Sequence, residues 1–272
     1  MGTSSGYKMP TGGSWTPLKN DATDFVQGSG SAEITPSSLI ADFIRATGGL
    51  AGLLQGHGGT VPLSGGTRGA GSTKAGSGGV GGAGGTGAGT SAAVGTARNL
   101  GGFLSSVADV GLEKTLRERG LEGSLGKSAS DLTDTLLDEF AGPASTLDNA
   151  LARESLAEIR DEILSEAETF EDVEKQLNAS IDELGIFGIL ASFFGHYIFK
   201  MFCRNFYEEW VKKVGETKAT SSLKEIEEYI RSSVRAKFAG RNVTAADWKK
   251  DEGKLVTETV LTETLEVFGV TG

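Results

Sequence analysis

The chain has 272 residues, 41 of them glycine, and a formal net charge of −10. That much glycine exceeds what a packed domain of this length uses, so part of the chain is expected to lie outside any core. Residues 1–102 carry six Lys/Arg against four Asp/Glu and residues 103–272 carry 20 against 32, and the acidic second part excludes a phosphate-neutralising surface and with it direct nucleic-acid binding. Cys203 is the single cysteine, which excludes an intramolecular disulfide and a cysteine-rich zinc site and fits a reducing cytoplasm. The start lacks the basic patch and apolar core of a signal peptide. The sequons at Asn178 and Asn242, which need a secretory route, are therefore discounted.

In chain order, the opening MGTSSGYKMPTGGSW shows no apolar periodicity. SSLIADFIRA (residues 37–46) sets Leu39, Ile40, Phe43 and Ile44 on one face of a short docking helix, marginal alone at under three turns. From Thr47 to Gly102 the chain is dominated by Gly, Ala, Ser and Thr, too little apolar surface to offset the entropy of ordering it. As a coil of about 50 residues it has an r.m.s. span of about 40 Å, enough to carry the N-terminus to a distant partner. The expected division is a flexible N-terminal segment, residues 1–100, holding the 37–46 helix and the 47–102 tether, followed by a helical domain over residues 101–272.

Beyond Gly102 amphipathic helices follow one another. Phe103, Leu104, Val107, Val110 and Leu112 begin a stripe that Leu116 continues until Gly120 stops it. Ser130 is expected to cap DLTDTLLDEF, and Leu147, Leu151, Ile159 and Ile163 mark a long charged helix. Thr169 with Asp172, and Ser222 with Glu225, read as capping boxes opening two more. Between Ile186 and Val214 lies the most apolar stretch, interrupted by His196 and Lys200; its uninterrupted run is short of a membrane span, so a buried central helix is expected. No segment alternates with period two. The fold class is all-α, an irregular helical bundle.

Motifs for chemistry are few. Gly76, Gly78 and Gly81, and again Gly82, Gly84 and Gly87, fit GxGxxG, but in a glycine-rich tract with no preceding strand such matches carry nothing. Gly126-Lys127-Ser128 resembles the end of a phosphate loop, yet the first glycine of that motif falls on Leu121, so a helix stop and a turn are expected instead. His196 and Cys203, seven apart on one helix, lie about 10 Å apart along its axis, too far for one metal to bridge. They read as core residues, and neither a metal site nor a cofactor is expected. His57 sits in the tract without a partner. Glu208-Glu209 and Glu227-Glu228 read as solvated helix faces.

Met1 precedes Gly2, so its removal would leave Gly2 as the first residue. N-myristoylation wants Ser or Thr where this chain has Gly6, and no polybasic patch adds a second anchor. MGTSSGYKMPTGGSW, the Gly/Ser tract, RNLGGFLSSVADVGLEKTLRERGLEGSLG and TLDNALARESLAEIRDEI together resemble the QatB family of four-gene bacterial anti-phage operons. The resemblance is patchy and weakest in the tract and after about Arg241, and no catalytic motif comes with it. It implies three partners: a QueC-like enzyme (QatC-like), a P-loop NTPase (QatA-like) and a TatD-like nuclease (QatD-like). QueC enzymes use ATP to activate a 7-deazaguanine carboxylate for attack by an amine, normally ammonia. An α-amino group, with a reference pKa of about 7.7–8.0, is far more often neutral at pH 7 than lysine at about 10.4. Beside such a partner the expectation is a non-enzymatic component whose segment Gly2, Thr3, Ser4, Ser5, Gly6 and Tyr7 is inserted into the QueC-like enzyme and modified at Gly2. The alternative is a structural adaptor between that enzyme and the NTPase. An enzyme with a cryptic nucleotide site stands third, with no motif behind it.

Overall fold

The computed structural model describes residues 10–29, 34–55, 91–239, 248 and 251–270. Among them are ten α-helices and no strand: α1 (Trp15–Gln27), α2 (Pro36–Ala46), α3 (Gly49–Gln55), α4 (Ala92–Val110), α5 (Leu112–Glu118), α6 (Ala129–Ala141), α7 (Leu147–Leu164), α8 (Phe170–Val214), α9 (Glu216–Phe238) and α10 (Asp251–Val267). The protein is all-α, as its periodicity predicts.

Local chemistry sets most of the helix starts. Thr169 and Asp172 form the expected capping box of α8, and Thr35 with Ser38 forms another on α2. Three starts differ from the sequence reading. Ser128, not Ser130, caps α6, its Oγ accepting from the Asp131 N–H at 3.2 Å. The stripe from Phe103 to Leu116 is two helices, because Gly111 adopts φ 84°, a left-handed conformation that breaks the hydrogen-bond ladder there. Ser222 lies inside α9, which begins at Glu216; the extra turns bury Ala219 and let Lys218 Nζ donate to the Gln27 carbonyl at 2.9 Å. A tertiary contact thus outweighs the local box.

The bundle is organised around α8, which packs against α9, α7 and α4. Non-helical angles at Gly185 divide it into a charged first arm and an apolar second arm. The second arm buries Phe193, Phe194, Phe202, Phe206 and Trp210, each large enough to stabilise by about 1.5–3 kcal/mol on leaving water. By length and composition α8 could cross a membrane, but 72% of its most apolar window is buried inside the bundle, the position of a core helix.

The boundary expected at residue 100 falls within α4. Helices α1–α3 supply Trp15, Leu18, Val26, Leu39, Phe43, Ile44 and Leu53 to the same core as the later helices. Two reasons account for the difference. The stripe of α2 finds α8 and α9 to cover it, and Ser91 caps a helix that starts inside the glycine-rich stretch because Ala93, Val94 and Ala97 are buried. Residues 56–90 of the expected tether lie outside the described residues.

Candidate functional site

Gly2, Thr3, Ser4, Ser5, Gly6 and Tyr7 also lie outside the described residues; the segment that carries them joins the fold at Pro10. From there the chain is held closely. Lys19 Nζ donates to the Pro10 carbonyl at 2.9 Å, and the Trp15 N–H donates to the Gly12 carbonyl at 3.1 Å. Trp15 packs edge-on against Phe43 at 6.1 Å between ring centres, and Phe43 edge-on against Phe202 at 5.3 Å. At the other end of α1, Phe25 lies against Trp210 and Lys213 Nζ donates to Thr23 Oγ1 at 2.7 Å.

The glycine-rich stretch leaves and re-enters the bundle at one place. The Ser91 N–H donates to the Leu54 carbonyl at 2.9 Å. One residue on, the Ala92 N–H donates to Asp148 Oδ2 at 2.7 Å, and the other oxygen of that carboxylate accepts from the Tyr197 hydroxyl. Burial, then the neighbouring Asp148 charge and this hydrogen bond, push the Tyr197 phenol far above its ordinary range, so it stays a donor. Asp148, in the first turn of α7, thereby ties α4, α7 and α8 together.

A groove of about 1010 Å³ runs between α7, α8 and α9. His196, 5% exposed, sits with Nε2 3.2 Å from Glu162 Oε1, and the same oxygen lies 3.0 Å from Arg231 Nη2. Burial by itself would raise the Glu162 carboxyl; the hydrogen bond from His196 and the charges of His196, Arg231 and Arg235 outweigh it and hold the group below its ordinary range. The result is a carboxylate clamped between basic groups. The second sequence-singled residue of this helix, Cys203, is half-buried, and burial pushes its thiol up to about 12 despite the nearby Lys200, so it is not poised as a nucleophile. Among the described residues no group of three His, Cys, Asp or Glu side chains is placed to hold a metal ion. Gly126-Lys127-Ser128 forms a turn with Gly126 at φ 75° and the α6 cap, as expected. Glu208 pairs with Lys212 on an exposed face of α8, whereas Glu209 pairs with Lys213 where that lysine also reaches Thr23 of α1, so the expected solvated face holds for Glu208 alone of the two.

Sequence reasoning missed Glu162 and Asp148, whose partners lie on other helices 34 and 49 residues away. It missed the Leu54–Ser91 closure as well, since nothing in either residue type signals it.

These features define an all-α bundle built round one long apolar helix, with an anchored N-terminal entry. Residues 81–268 match the family described as "Qat anti-phage system associated protein QatB". The chain belongs to the QatB family and is a component of an anti-phage defence system, whose other components are its expected partners. No match was found among curated proteins or among solved structures.

Proposed function

We propose that the protein is a non-enzymatic, cytoplasmic component of the Qat system whose Gly2, freed by removal of Met1, is bound and acylated by a QueC-like partner. In that step the 7-deazaguanine carboxylate attacks the α-phosphorus of ATP, forming an acyl adenylate and releasing pyrophosphate. The neutral amine of Gly2 attacks the acyl carbon; the C–N bond forms, AMP departs with the electron pair of the C–O bond, and the amine proton passes to solvent. Thr3, Ser4 and Ser5 offer small side chains and backbone groups for gripping an extended peptide, with Gly6 and Tyr7 completing the segment.

The observation that carries this reading is the point of exit. Residues 1–9 leave a chain of this family from a tightly packed start of α1, so a partner that binds the bundle also holds the segment near its own surface. The intact mass of the protein, purified with the active QueC-like enzyme and with a form unable to bind ATP, tests it. A mass increase on Gly2 only with the active enzyme is expected, and Gly2→Leu should abolish both the increase and defence. An unchanged mass would leave the adaptor between the QueC-like enzyme and the P-loop NTPase as the function.

A further inference from the structure

The structure limits where such a partner can sit. A free coil over residues 47–102 would let Gly2 roam, but α1–α3 belong to the core and the ends of the stretch meet at the Leu54–Ser91 hydrogen bond. The stretch adds nothing to the reach of the N-terminal segment. Gly2 is tied instead to Pro10, whose carbonyl is held by Lys19, and the eight Cα-to-Cα steps between them span at most about 29 Å when fully extended. If residues 2–5 enter a binding site, roughly half of that length is used inside it, so the mouth of the site lies within about 15 Å of Pro10.

The exposed residues that follow Pro10 in the chain have a distinctive make-up. Pro10, Thr11, Gly12, Gly13 and Ser14 are exposed, as are Thr16, Pro17 and Asn20 on the outer side of α1. None of the eight is charged, in a chain with 23% charged residues. Small uncharged groups let a second protein approach closely, and the one ammonium beside them, that of Lys19, is already held by the Pro10 carbonyl; interface centres are depleted of charge because ions cost desolvation.

We infer that this collar, Pro10–Ser14 with the outer face of α1, is the docking face for the carboxylate-activating partner, which must bring the mouth of its active site against the collar because the leash is short. The inference rests on the reading of Gly2 above for the identity of the partner. The leash itself follows from the packing of α1 and the closure at Leu54.

The test reads partner affinity and Gly2 mass separately, on the full-length chain with the QueC-like enzyme of its own operon. Thr11→Glu combined with Thr16→Glu should weaken binding tenfold or more while helix content and melting temperature stay at wild-type values. Leu255→Glu combined with Thr259→Glu, exposed on α10, should leave binding unchanged. Replacing residues 57–89 with a short Gly/Ser turn should leave both affinity and extent of modification within twofold. Wild-type affinity in the folded collar variant, or lost binding in the folded deletion, would overturn the docking face. Collar-dependent binding with no change of mass at Gly2 would uphold the docking face and sink the acylation reading alone.

Discussion

Glu162 shows how one residue's protonation is tied to folding. Its carboxyl is held below the ordinary range in the folded protein, so the stabilisation it contributes is complete above the ordinary glutamate value of about 4.3 and is lost as pH falls through the lower folded value. Urea midpoints from pH 7 to 3 should show wild type more stable than Glu162→Gln at neutral pH, the gap closing on the acid side. A second residue-scale prediction concerns contact distance. A Cβ on Gly101 would stand 2.4 Å from Trp248 Cζ3, so Gly101→Ala should destabilise by about 1–3 kcal/mol. Combining it with Trp248→Leu should cost less than the two changes added together, because they share one contact. Neither pairing was legible in the sequence. His196 could be read as buried from its apolar neighbours, but its partner sits on another helix, and no spacing rule links positions that only tertiary packing brings together.

At the scale of helices, legibility follows how local the signal is. The Thr169–Asp172 box spans four residues, and the structure contains it. The stripe of Leu39, Ile40, Phe43 and Ile44 likewise becomes the buried face of α2. Helix α1 escaped notice because WTPLKNDATDFVQ is mostly polar and carries Pro17 in its first turn, a position where the missing N–H costs nothing; only Trp15, Leu18, Ala22 and Val26 are buried. Helix ends also give a prediction. Asp148 accepts from the Ala92 N–H and from the Tyr197 hydroxyl, so Asp148→Ala should cost about 1–3 kcal/mol for each donor it strands. Hydrogen exchange at residues 92–96 should speed up more than at the middle of α8, since the first turn of α4 loses its outside acceptor.

For the molecule as a whole, the joined ends of the glycine-rich stretch turn a supposed linker into an insertion. Closing a loop of about 35 residues costs more entropy than closing one of about six, by about 1.5 kcal/mol. Replacing residues 57–89 with a short turn should therefore raise the melting temperature, and calorimetry of the two proteins checks it. A drop of several degrees would show that the stretch contributes packing of its own. Composition alone marked this region as coreless, but only the packing of α1–α3 tells an insertion from a tether.

The same packing makes the first helices wait for the last. Thr23 meets Lys213 across 190 residues of sequence, Ser37 meets Tyr229 across 192, and Arg45 meets the Gly269 carbonyl across 224. At synthesis rates of about 5–20 residues per second, the surface that covers α2 emerges roughly 10–40 s after α2 itself. Until then Phe43 and Ile44 lack the faces of α8 and α9 that cover them, and a chain that stops before α8 never acquires either. Incomplete products thus keep a greasy flag that proteases and chaperones read, whereas the finished chain withdraws it. Ribosome-bound chains arrested at residue 169, before α8, should be cut within residues 36–46 by a protease that spares the same residues in the released protein.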